Sequence, residues 1–219
     1  MRKKIRILVL SSNTWANSRI SVDEEANEIF ERLQEGPYRD RFQLHHQAAA
    51  GASDLQKLLL MYEPHIVHFS GCGSRKYRAV FGRTQRPRAV QQGLANVFAL
   101  YNAHVRLVML NACFTKAHVQ SISEVINYSI GIGKGTSDKV SVTFAGAFYR
   151  ALGFGKSIPA AFRSAKAEVA LAGIPRVRGF DLFVRNGVSE RDRFPRTARL
   201  GRRRNRVRRL NQRRLGTTG

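Results

Sequence analysis

The sequence predicts an α/β fold: a mostly parallel, six-stranded sheet with helices on both faces. Two observations carry this. Short apolar bursts alternate with amphipathic stretches along the 219 residues, as they do when parallel strands are joined by crossover helices. Several bursts, notably "IRILVL" and "VRLVMLN", are nearly continuous apolar runs, as befits central strands covered on both sides.

The candidate strands are Ile5–Leu10, Phe42–Gln47, His65–Ser70, Val105–Leu110, Tyr128–Ile132 and Phe180–Val184. Between the first two, "SVDEEANEIFERL" opens with Ser21 and an acidic first turn, and Ala26, Ile29, Phe30 and Leu33 form one apolar face. "SDLQKLLLMY" starts at Ser53, a good N-cap, and stops before Pro64. Further helices are expected over Ala89–Leu100, Thr115–Ile126, Asp138–Leu152 and Ser157–Leu171. No internal repeat is present.

Hydrophobic residues make up 43% of the chain, enough to bury a core. The longest apolar runs are far too short to cross a bilayer. Met1-Arg2-Lys3-Lys4 precedes a largely apolar segment of only six residues, without a small-residue cleavage site, so a cytosolic protein is expected. Two cysteines, Cys72 and Cys113, are too few for a disulfide scaffold.

The net charge is +23, and it is unevenly placed. Residues 191–219 hold twelve arginines against one acid, Asp192, and carry +11. Few apolar residues and strong self-repulsion predict a disordered tail after a domain spanning residues 1–190. Such a tail either binds nucleic acid weakly and non-specifically through phosphates or is simply solvated. No aromatic is interleaved among the arginines from Arg196 onward, so base stacking is not indicated.

In open α/β sheets, sites form beyond the carboxyl ends of central strands. Three such ends stand out: "HFSGCG", "LNACFT" and "GIGKGTSD". Neighbouring strands would bring these loops together. Two fragments mimic phosphate loops without meeting the pattern. "GFGKS" (Gly153–Ser157) has Arg150 where a P-loop needs glycine, and it follows a helix. "GIGKGTS" (Gly131–Ser137) follows a strand but has neither glycine fingerprint. A zinc set of His68, Cys72, Cys113 and His118 lacks any tight ligand spacing, so no metal and no cofactor are expected.

Cys113 ends an apolar strand directly before a helix, where the helix dipole and free amides favour a thiolate and could hold an oxyanion. Taken alone, it reads equally as a small buried hydrophobe. The blocks "KIRILVLSSN", "DEEANEIFERL", "PHIVHFSGCGS", "VRLVMLNACFT", "YSIGIGKGTSDKVSVTFAGAFYRALGFGKSIPAAF" and "DLFVRNG" run in order over roughly residues 4–188. In them the chain resembles the CHAT family, caspase-like proteins of peptidase clan CD that are frequent in bacterial signalling and defence. The resemblance implies a caspase-like three-layer sandwich acting on a protein or peptide substrate. It makes Cys113 the nucleophile, and the loop around Gly73 the oxyanion region.

The chain departs from the family at one position. The family usually reads His-Phe-Ser-Gly-His-Gly, its second histidine being the general base, whereas this chain reads His68-Phe69-Ser70-Gly71-Cys72-Gly73. A thiol near pKa 8.5 is a poor substitute for imidazole in moving a proton at neutral pH. Losing such a base commonly costs several orders of magnitude in rate. His68 lies four residues earlier, inside the strand, and reads as a core histidine. On this mapping the two thiols face each other, and a disulfide is allowed if their Cα atoms come within about 7 Å. In a reducing cytosol two free thiols are expected.

By the same resemblance Asp138 contacts a basic substrate residue; read from the sequence alone, it N-caps the helix Lys139–Leu152. Asn111, two before the cysteine, is not acidic, which speaks against strict basic specificity. Arg75, Lys76, Arg78, Arg83, Arg86 and Arg88 make the loop toward the site basic; it either binds an acidic partner or is solvated. Relatives are often fused to sensor modules, and no such module is visible here, so a separate sensor protein is expected.

Overall fold

Ile5, Ile7 and Val9 face one side of β1 (Ile5–Ser11), while Leu8 and Leu10 face the other. This alternation, repeated along the central strands, divides the core in two. The structure, a computed structural model, describes residues 4–11, 19–48, 50, 54–70, 87–111, 116–133, 136–173 and 179–189. The arginine-rich segment 191–219 lies outside them, as do Cys72, Gly73 and Cys113.

The other strands are β2 (Phe42–Ala48), β3 (Ile66–Ser70), β4 (Leu107–Asn111), β5 (Tyr128–Ile132) and β6 (Phe180–Val184). They form one sheet in the order β2-β1-β3-β4-β5-β6, parallel throughout except that β6 runs antiparallel to β5. The helices are α1 (Arg19–Gln34), α2 (Leu55–Tyr62), α3 (Pro87–Leu100), α4 (Lys116–Ser123), α5 (Asp138–Gly153) and α6 (Ile158–Leu171). Helices α1, α5 and α6 cover one face through Ile29, Leu33, Phe144, Phe148 and Ile158. Helices α2, α3 and α4 cover the other through Leu59, Phe98, Val119 and Ile122. The result is the predicted α/β sandwich of three layers, with the strand order and antiparallel edge consistent with a caspase-like one. Each fully buried side chain of this size contributes about 2 kcal/mol from removal of apolar surface from water.

Several boundaries differ from expectation for local reasons. Helix α1 begins at Arg19, so the acids of "VDEE" fall after its first turn. Phe30 is 52% exposed, although Ala26, Ile29 and Leu33 are buried as expected. Strands β3 and β4 start at Ile66 and Leu107 rather than His65 and Val105. Helix α4 ends at Ser123, where Val125 and Ile126 both bond back to the Ile122 carbonyl and turn the chain into β5. The N-cap of α2 is Asp54, whose side chain makes no capping bond to the helix, and Ser53 lies outside the described residues. No helix among the described residues is long and apolar enough to cross a membrane.

Candidate active site

Strands β3 and β4 are parallel neighbours with Phe69 opposite Leu110, and one position later they end at Ser70 and Asn111. Cys72 and Cys113 each follow their strand's last residue by two positions. β5 flanks β4 with Ile132 opposite Asn111. The three strand ends singled out in the sequence therefore share one edge of the sheet, although their loops lie mostly outside the described residues.

Below that edge lies a side-chain cluster on the α1/α5 face. Glu25 of α1 is 2% exposed. The Ser70 hydroxyl donates to its Oε2, and Asn111 Nδ2 donates to its Oε1 at 2.5 Å. His68, fully buried, brings Nε2 to 3.4 Å from Oε1, a charge contact without an aligned hydrogen bond. Its Nδ1 lies 3.2 Å from the Tyr149 hydroxyl of α5, and the two rings stack 5.7 Å apart. A neutral imidazole accepts at Nδ1 from Tyr149 and an imidazolium donates there; in both, the Nε2 proton faces Glu25. The strand pleat explains the grouping, because His68 and Ser70 share a face of β3 while Val67 and Phe69 occupy the other.

Electrostatics follow from this packing. Burial pushes the Glu25 carboxyl up, but the attraction of His68 and the hydrogen bonds from Ser70 and Asn111 outweigh it and leave the group below its ordinary 4.5. Burial, with the Glu25 charge nearby, pushes the Tyr149 phenol well above 10. Carboxylate and phenol thus stay in opposite protonation states over a wide range. Asn111 Oδ1 is buried without a partner, its amide orientation being set by the donation to Glu25.

The sequence-derived residues meet different fates. His68 is the core histidine expected, with Glu25 and Tyr149 as its partners. Asp138 opens α5, but its side chain lies outside the described residues and it is not the cap; Ser137 is, accepting from the Val140 amide at 3.4 Å. His118 packs on α4, on the opposite side of the sheet from His68, so a metal set using both is not formed. Among the described residues no group of three or more ligating side chains could hold a metal. "GFGKS" joins α5 to α6 with Ser157 as the α6 cap, a helix–helix connection unlike a phosphate loop. A groove of about 310 Å³ lies between α1, α5 and α6. It is lined by Arg32 and Glu168, which are already paired with Glu28 and Arg150.

Glu25 is the residue that reading the sequence missed. It lies four positions before Ile29 and eight before Leu33, on the buried face of α1. No family model matches the chain, and no curated protein matches it.

Proposed function

We propose that the chain is a CHAT-type, caspase-like cysteine peptidase domain of bacterial cytoplasmic signalling or defence, with catalysis impaired or lost because Cys72 stands at the base position. The observation that carries it is the pairing of β3 and β4 as parallel neighbours, with a cysteine two residues past each. Loops leaving adjacent parallel strands at one edge can bring a nucleophile and its base to a single substrate carbonyl. In this reading Cys113 attacks a peptide carbonyl, the loop around Gly73 receives the oxyanion, and Asp138 contacts the substrate. At the position of the family's base the Cys113 proton would meet the Cys72 thiol, a poor acceptor at neutral pH.

A second reading, a pseudo-peptidase that keeps the fold as a protein-binding module, is favoured by His68. The imidazole nearest in sequence to the missing base is fully buried and engaged by Glu25 and Tyr149, so it is not free to replace it.

The deciding experiment is the rate of Cys113 alkylation at neutral pH, followed by mass spectrometry in the native protein and in Cys72→His. Rapid native labelling supports residual peptidase chemistry. Slow labelling that Cys72→His accelerates supports an otherwise intact cleft lacking its imidazole. Slow labelling in both removes the peptidase reading and leaves the binding module.

A further inference from the structure

The geometry points to Glu25 as a positioning residue: one buried carboxylate that ties the carboxyl ends of β3 and β4 together and so fixes the spacing of the two loops that follow. The inference rests on the cysteine-dyad reading for what those loops carry, but the tie itself rests on contacts alone.

The two oxygens of Glu25 divide between the strands. Oε2 takes the Ser70 hydroxyl at the last residue of β3, and Oε1 takes the Asn111 amide at the last residue of β4. The partners lie 45 and 86 residues away in sequence, so the carboxylate joins segments that no local structure connects. The backbone ladder between β3 and β4 pairs residues only as far as Phe69 and Leu110. Beyond that point a side-chain bridge takes over. Charge-assisted hydrogen bonds are the strong ones, and two from one rigid group fix distance as well as direction.

Glu25 is itself held. Ala26 and Ile29, which follow it on α1, seat the helix in the core, and His68 meets Oε1 while stacking on Tyr149 of α5. The bridge is therefore anchored to two helices of one layer. An apolar residue at this position would leave the buried Ser70 and Asn111 donors without an acceptor and His68 Nε2 without its carboxylate. It could not join two strand ends. In the cysteine-dyad reading Cys72 and Cys113 come two residues after the bridged positions in sequence, so the bridge sets where both of their loops begin.

Glu25→Gln tests this, since the amide keeps the shape but cannot accept from both donors. Amide hydrogen exchange is read in the full chain, together with the equilibrium of Cys72–Cys113 disulfide formation in a glutathione buffer. The expected result is exchange at the ends of β3 and β4 faster by about tenfold, the loss of roughly one charged hydrogen bond, with β1 and β5 unchanged. The disulfide equilibrium weakens by a similar factor. Ser70→Ala, a milder change, should loosen the β3 end alone.

Exchange that rises uniformly through the sheet overturns the inference, because it shows Glu25 to be merely structural. Selective exchange with an unchanged disulfide equilibrium also overturns it, because the bridge then does not position the thiols. If the native protein forms no disulfide and neither thiol reacts, the dyad reading fails and the positioning role falls with it. Selective exchange would still report the bridge, so the two failures are told apart.

Discussion

Glu25 and His68, 43 residues apart in sequence, meet in the core with 3.4 Å between carboxylate oxygen and imidazole nitrogen. Neither is reached by solvent, so the pair must be assembled as the fold closes. Its consequence for acid stability has a definite sign. Glu25 titrates below 4.5 when folded and at its ordinary value when unfolded, so in that range the unfolded chain binds the extra proton. Stability from this group is fully present above 4.5 and is lost as pH falls through the lower folded value. His118 acts in the same direction from a higher pH, because burial lowers its pKa below 6.5 and the unfolded state takes up the proton first. Urea unfolding from neutral pH down to about pH 3 should therefore show stability declining below 6.5 and more steeply below 4.5. In Glu25→Gln the lower branch should flatten while the upper one persists. An unchanged lower branch would mean that other carboxylates dominate.

Tyr149 sets the opposite limit. Its phenol stays protonated in the folded protein above pH 10, whereas an unfolded tyrosine ionises near that value. The unfolded state then releases a proton that the folded state keeps, and stability falls as pH rises past 10. Tyr149→Phe should weaken this alkaline decline. It should also cost about 1–3 kcal/mol at neutral pH, because His68 Nδ1 loses its partner in a sealed site. Equal denaturation midpoints for the two proteins at neutral pH would show that the hydrogen bond contributes nothing.

Two glycines should respond to alanine in opposite ways. A Cβ on Gly36 would sit 2.3 Å from the carbonyl carbon of Gly153, where the ends of α1 and α5 meet backbone to backbone. Since backbone has no rotamer to move, Gly36→Ala should destabilise by about 2 kcal/mol or more. Gly93 lies within α3 with nothing within 4 Å of its Cβ position. Gly93→Ala should stabilise by about 0.5–1 kcal/mol through the lower helical entropy cost of alanine. Thermal melts of the two variants check both signs together.

The alternation of apolar bursts and amphipathic stretches made the six strands and six α-helices of the described residues legible, because each buried face imposes a period on its own segment. Glu25 was not legible by the same logic. Reading apolar residues on α1 placed Phe30 inward with Ile29, whereas the structure turns Phe30 out and Glu25 in. Periodicity marks Glu25 as lying on the buried face, but only the long-range partners Ser70, His68 and Asn111 make a charge there tolerable. Ser137 and Asp138 are both good caps by type, and the choice between them depended on which side chain meets the Val140 amide. Strand neighbours pose the same problem: β1 lies between β2 and β3 through contacts that no local pattern encodes.

Glu63 is the one non-glycine residue with left-handed backbone among the described residues, at φ 38. It ends α2 directly before Pro64, which bars further helix. A side chain in this conformation costs about 1 kcal/mol or more, so something must hold it. Arg6 does: its guanidinium donates to the Glu63 carbonyl at 2.9 and 2.7 Å and to the carboxylate at 3.1 Å. The carboxylate contact is largely exposed and contributes little. The two bonds to the carbonyl are the ones that matter, because they fix the backbone that feeds β3. Arg6→Ala should therefore destabilise by about 1–2 kcal/mol. Glu63→Gly, which removes the strain but keeps the carbonyl, should be neutral or stabilising. In the double variant the cost of losing Arg6 should shrink, since glycine holds the turn without the clamp. Additive effects in that double-mutant cycle would show that Arg6 acts through some other contact and not on the Glu63 backbone.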